Sequence, residues 1–343
     1  MAVTETSPGT AAGPAETLPV PTSAPDPADE AMCARARERY VADRKKMGRV
    51  PRRRRSHAAM PNLIIIGGLK CGTTSIHHYL GLHPEIQMSK PKELNFFVKE
   101  LNWDLGLPWY RGRFDDRFRV RGESSPHYTN LPRFRGVAGR IHDNVPHARL
   151  IYMVRDPIAR ILSHWRHAVG AGYETRQVEE VLARDDQTYV TRSLYWAQLQ
   201  PYLEVFDRSQ IQVLTQDELQ GEREATMRRA FEFAGVDPNF TSEQFDREWE
   251  KSTAKESDKY QFMEKLIKLP GFRSFDRNFD RLPERMRWMV EKVVHDPEAP
   301  SAPKPELPVS IRDQLLARFG DDVAALQEFA GREFAGWKRY SAR

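Results

Sequence analysis

Short continuous runs of β-forming residues punctuate the chain at Leu63 to Ile66, Arg149 to Val154 and Gln210 to Leu214. Unbroken apolar runs of this length fit strands covered on both faces, since a half-exposed strand would alternate. Between them, apolar positions recur at helical spacing. Ile76, Tyr79 and Leu80 share one face of a helix expected over residues 74–82, which His83-Pro84 stops because the residue before proline is pushed out of the α region. Further helices are expected over 133–143, after Pro157, over 225–234 running into Gly235, and over 310–329. Alternating strands and helices predict an α/β fold with a central, mainly parallel sheet flanked by helices.

The pattern fades at both ends of this block. Residues 1–35 are rich in Pro, Ala, Thr, Ser and Gly with almost no large apolar side chain, which predicts a disordered tail. Residues 36–58 read as a charged helix and a basic linker containing Arg52 to Arg55, and residues 59–343 as the folded domain. Within it, residues 251–286 give no clear periodicity, and the proline-rich stretch 296–308 reads as an extended loop.

Composition narrows the class. With 343 residues, 40% of them hydrophobic, the chain can bury a substantial single core. A net charge of +5 suits a protein that handles a polyanion. Nucleic acid is one such polyanion, but no zinc-finger spacing or RNA-binding aromatic signature is present, so no specific nucleic-acid partner is expected. The two cysteines, Cys33 and Cys71, lie far apart in sequence and predict no structural disulfide. No apolar stretch reaches the ~18 residues of a membrane span and no secretory leader is apparent, so a cytoplasmic protein is expected.

The first apolar run leads into chemistry. Ile64-Ile65-Ile66-Gly67-Gly68-Leu69-Lys70-Cys71-Gly72-Thr73-Thr74-Ser75 is a strand, a small-residue turn with one lysine, and a hydroxyl-rich helix start. Helix N-termini carry unpaired N–H groups and partial positive charge, so this is a phosphate cradle. Nucleoside triphosphatase loops read G-x-x-x-x-G-K-[ST]. Here Lys70 precedes Gly72 and the threonines follow directly, which weakens a kinase or hydrolase reading.

The order K-C-G-T-T-S resembles the 5′-phosphosulfate loop of sulfotransferases that use 3′-phosphoadenosine-5′-phosphosulfate (PAPS), and within them the heparan-sulfate-type branch and its bacterial relatives. Lys90-Pro91-Lys92-Glu93-Leu94-Asn95-Phe96-Phe97 resembles that branch's K-E-x-x-F-F segment, which supplies the catalytic base. Val154-Arg155-Asp156-Pro157 with Ser163 resembles its 3′-phosphate element. Gly122-Glu123-Ser124-Ser125-Pro126-His127-Tyr128 resembles the acceptor edge, where Ser124 replaces the lysine frequent in the animal enzymes. The helix from Ser193, the Asp217-Glu218-Leu219 strand ending and the terminal Gly331-Arg332 to Trp337 stretch also match.

The resemblance implies a P-loop-like three-layer sandwich and transfer of a sulfuryl group from PAPS to a hydroxyl or amine of a carbohydrate or other small acceptor. It places Lys70, Cys71, Gly72, Thr73, Thr74, Ser75, Arg155, Ser163 and Tyr195 against the nucleotide, with Lys304 a further candidate. Lys92, Glu123 and His127 are placed at the acceptor. Lys70 is expected to stabilise the leaving phosphate and Glu93 to act as base, its carboxyl raised by burial near Phe96 and Phe97, with Glu123 and His127 as rivals. No metal is expected, because the sulfuryl group carries little charge. His164 and His167 lack an evident third ligand and read as packing or surface residues.

The rival enzyme is a P-loop nucleotide kinase or hydrolase. The rival from another class is a noncatalytic module that binds anionic polymers through Arg52 to Arg55.

Overall fold

In the computed structural model, which describes residues 57–170, 174–183, 189–246 and 305–340, the apolar runs form the middle of a parallel sheet. Its strands are β1 (Leu63–Ile65), β2 (Ile86–Met88), β3 (Val120–Ser124), β4 (Arg149–Val154) and β5 (Ile211–Thr215), in the order β2-β3-β1-β4-β5. All four pairings are parallel. Successive residues Leu63 to Ile66 and Leu150 to Val154 are all buried, so both faces are covered.

The helices doing this are α1 (Thr73–Leu80), α2 (Gly106–Arg111), α3 (Val137–Asn144), α4 (Pro157–Gly170), α5 (Val178–Ala183), α6 (Tyr195–Leu203), α7 (Gln216–Gly221), α8 (Arg223–Ala234) and α9 (Val309–Ala330). Among them α1 packs with α8, whereas α9 lies against α4, α5 and α6. The result is the three-layer α/β sandwich expected from the sequence. Tail residues 1–35, the 36–58 segment except its last two residues, the 251–286 stretch and Lys304 lie outside the described residues.

Two strands escape the hydrophobic pattern. β3 is Val-Arg-Gly-Glu-Ser, poor in β-formers, yet it sits between β2 and β1 with Glu123 and Ser124 buried. β2 is only Ile-Gln-Met. Neighbouring strands, not propensity, hold them in place.

The chain crosses the sheet so that the site forms beside β1. After β1 it runs to β2 and β3 on one side and then to β4 on the other. The order of strands therefore reverses between β1 and β4, and their carboxyl ends are the usual ligand position in open parallel sheets.

Candidate active site

The loop after β1 is fixed by continuing the ladder to β4. Ile66 N–H donates to Ile151 O at 2.9 Å and Gly68 N–H to Met153 O at 3.0 Å. Gly67 is needed for this approach: a Cβ there would lie 2.4 Å from Met153 N. Its glycine thus serves strand packing, not proximity to an anion. Gly72 serves the turn itself, with φ of +81° at the N-cap of α1, and no side chain caps that helix end. Lys70 also takes a positive φ, +68°, an unusual conformation for a side-chain-bearing residue. The uncapped helix start, Gly72 and half-buried Lys70 together fit an anion.

Arg155 leaves the end of β4 and reaches this loop directly. Its Nη1 donates to the Lys70 carbonyl at 3.3 Å. Asp156 Oδ1 accepts from Ala159 N–H at 2.8 Å, starting α4 as expected of an acidic N-cap. Asp156 also accepts from Arg339 and from Tyr340 Oη, the latter at 3.1 Å, so the C-terminal segment straps down the same junction. Ser163 lies two turns along α4 and is half-buried.

Two residues expected at the nucleotide, Tyr195 and Cys71, are fully enclosed by the protein. Tyr195 is fully buried, and its hydroxyl donates to Arg155 O at 2.7 Å. Cys71 is also fully buried; its Sγ lies 3.6 Å from Tyr195 Oη and its N–H donates to Gly68 O at 3.2 Å. Burial pushes the Cys71 thiol up, against the opposing charge of Arg160. Both residues brace the loop after β1 and the junction after β4.

The Lys92-Glu93 segment is folded over the end of β3. Glu93 N–H donates to Ser124 O at 3.0 Å and Asn95 N–H to Ser125 Oγ at 2.9 Å, while Glu93 and Asn95 take φ of +64° and +46°. Two non-glycine residues in this region mark a loop held in place by its surroundings. Burial does press the Glu93 carboxyl upward, but Lys92, hydrogen-bonded to it, outweighs that effect. The carboxyl is thus lowered, opposite to the expected direction. Lys92, placed at the acceptor, is committed to this ion pair.

Glu123 is corrected as well. It has no exposed surface, and it accepts hydrogen bonds from Tyr110 Oη at 2.5 Å, Tyr128 Oη at 2.6 Å and Ser125 Oγ at 2.9 Å. Burial raises its carboxyl despite these donors. No surface of it is open to an acceptor in this structure, and it organises the Tyr110, Tyr128 and Ser125 hydroxyls. The aromatics of 102–114 pack on the same core: Tyr110 stacks on Phe96 at 4.3 Å between ring centres.

His127 is half-buried, with Nδ1 3.3 Å from Asn130 Nδ2. Burial and the charge of Arg192 lower its pKa to about 4, against the pull of Glu93. It is a neutral, weakly basic imidazole beside the carboxylate.

One face of α4 carries more than Ser163. Arg160, Ser163, His164 and His167 stand at positions i, i+3, i+4 and i+7, which puts them on one face. His167 is exposed, while buried His164 feels the charge of Lys70. That periodicity, directly after Arg155, was the available signal. Gln216 carried none: it packs over Gly72, 3.2 Å from a Cβ placed there, and its Oε1 is buried without a partner.

Residues 60–272 match the family model of the sulfotransferase domain. The membrane-associated sulfotransferase kil1 of Dictyostelium discoideum is 33% identical over 32% of this chain and 23% of its own length. Heparan sulfate glucosamine 3-O-sulfotransferase 3B1 of Mus musculus is 26% identical over 54% of this chain and 49% of its own length. The chain thus matches half or less of these curated relatives. A sulfotransferase structure from Alicyclobacillus acidocaldarius, 24% identical, superposes with a TM-score of 0.56 over 82% of this chain and 99% of that one, which shows a shared fold. The family model spans most of the chain and carries both the Lys70 loop and the Arg155 element, so the chain belongs to the sulfotransferase domain family.

Proposed function

We propose that the chain transfers a sulfuryl group from PAPS to a hydroxyl or amine of a carbohydrate or other small-molecule acceptor. The observation that supports this reading is the Arg155 to Lys70 contact, which brings the loop after β1 and the junction after β4 side by side at the carboxyl ends of those strands. A nucleotide with phosphates at both its 5′ and 3′ positions matches that pair, whereas a triphosphate needs only the first. PAPS supplies the activated sulfuryl group.

The residues divide the remaining work. Lys70, Gly72, Thr73 and Thr74 hold the 5′-phosphate at the start of α1, and the lysine charge stabilises the leaving phosphate as the sulfur–oxygen bond breaks. Arg155 and Ser163 hold the 3′-phosphate. The acceptor's nucleophile loses a proton as its bond to sulfur forms, and Glu93, held ionised by Lys92, receives it. Ionised carboxylate is the form a base needs.

Incubation with sulfur-labelled PAPS and extracts of the producing cell tests the reading: label should pass to an acceptor with release of adenosine 3′,5′-bisphosphate. Thermal unfolding separates the kinase alternative. The bisphosphate should raise the melting temperature and magnesium ATP should not. The reverse result would falsify the proposal.

A further inference from the structure

Arg160 lies within the first turns of α4, between Arg155 and Ser163, and none of its surface reaches solvent. Its Nε donates to Ser193 Oγ at 2.5 Å, its Nη1 to His164 Nδ1 at 3.4 Å and its Nη2 to the Tyr189 carbonyl. Every acceptor is neutral. Among the described residues no carboxylate pairs with it, although Arg176, Arg332 and Arg339 each find one. A buried cation without a counter-charge is costly, and arginine cannot escape by losing its proton as lysine does.

The position of this charge suggests what balances it. Arg160 acts on the Cys71 thiol, inside the loop between Lys70 and Gly72, so its field reaches the 5′-phosphate cradle from below. It shares α4 with Ser163 and follows Arg155 by five residues, so the same field reaches the 3′-phosphate element. It also donates to Nδ1 of His164, which leaves that imidazole neutral with its proton on Nε2.

We propose that Arg160 is a buried positioning charge for the nucleotide: it touches neither phosphate, and the phosphates of the bound cosubstrate are its counter-charge. This inference rests on the nucleotide reading above. The nucleotide-free protein then holds a charge that destabilises it, and nucleotide binding both relieves that charge and is strengthened by it.

The test compares two substitutions in the full chain by calorimetry with adenosine 3′,5′-bisphosphate and by thermal unfolding without it. Arg160→Gln keeps hydrogen-bond donors and loses the charge; Arg160→Lys loses the fork and is free to shed its proton without the bisphosphate, but regains the charge when the bound phosphates supply its counter-charge. The glutamine variant should unfold at the same or a higher temperature than the parent and bind the bisphosphate roughly tenfold more weakly, with the lysine variant binding more tightly than the glutamine one. Parental affinity in Arg160→Gln, or lysine no better than glutamine, overturns the proposal. If the parent itself gives no binding heat, the nucleotide reading fails first; if the parent binds and the variants match it, only this inference fails. Should the variants not fold, a solvent-shielded arginine Nε–H resonance of the parent must shift on adding the bisphosphate but not on adding adenosine, and its absence is equally decisive.

Discussion

Tyr195 grips the peptide groups of Arg155: its hydroxyl donates to the Arg155 carbonyl at 2.7 Å and lies 3.4 Å from the Arg155 N–H. The same oxygen sits 3.6 Å from Cys71 Sγ, so one buried phenol ties the strand end after β4 to the loop after β1. Tyr195→Phe removes these bonds while keeping the ring. We expect a loss of about 1–2 kcal/mol in stability, and weaker binding of adenosine 3′,5′-bisphosphate because Arg155 is released. A calorimetric titration showing parental affinity would remove Tyr195 from the nucleotide site's support.

Glu93→Ala should lower turnover by roughly 10²- to 10⁴-fold, the usual worth of a positioned base, while bisphosphate affinity survives. The Lys92 partner makes a second, more specific claim. Because Lys92 holds the Glu93 carboxyl below its ordinary value, the base stays ionised as pH falls, and the acid limb of kcat/KM should lie below the usual glutamate range. Lys92→Met removes the main lowering influence and leaves burial, which raises the carboxyl. The acid limb should then move to higher pH. A pH–rate profile whose acid limb is identical in parent and variant separates Lys92 from the base.

Glu123 predicts a contrast between two substitutions. Glu123→Ala strips three buried hydroxyls of their shared acceptor and opens a cavity behind Phe96 and Phe97, a loss on the order of 3 kcal/mol. Glu123→Gln keeps the shape and most of the acceptor capacity. Burial raises the native carboxyl, so the wild-type group favours folding most at low pH and loses that contribution as pH rises through its raised value. Glutamine removes this dependence, so denaturant midpoints of Glu123→Gln should decline less with rising pH than those of the parent.

The parts of this fold that announce themselves in sequence are those where local and tertiary preferences agree. Val154-Arg155-Asp156-Pro157 is legible because a β-forming run, an acidic cap and a first-turn proline all describe one strand-to-helix junction. β3 is the opposite case: its glycine and charged residues oppose a strand, and only pairing with β1 and β2 makes it one. The site shows the same divide. Lys70, Gly72 and Arg155 are marked by local order, whereas the burial of Glu123, Tyr195 and Cys71 arises from contacts across long stretches of sequence, and the sign of the Glu93 shift depends on where the Lys92 side chain lies.

The last prediction concerns Asp322, on α9, whose carboxylate oxygens accept from the Trp196 and Ala197 N–H groups at 3.1 and 3.0 Å. A residue more than a hundred positions away thereby caps the N-terminus of α6, the helix that begins with Tyr195. Burial raises its pKa from 3.8 to about 7, and the backbone donors only partly oppose this. Since the native state binds this proton more tightly than the unfolded chain, the group's contribution to stability is full below 3.8 and disappears as pH rises through about 7. Over that interval the loss is on the order of 4 kcal/mol. Asp322→Asn keeps one acceptor oxygen and cannot ionise, so its melting temperature should fall less than the parent's between about pH 5 and about pH 8. Parallel melting curves across that range would mean that Asp322 is ionised throughout, and that its charge is held by the α6 N-terminus more strongly than its burial opposes it.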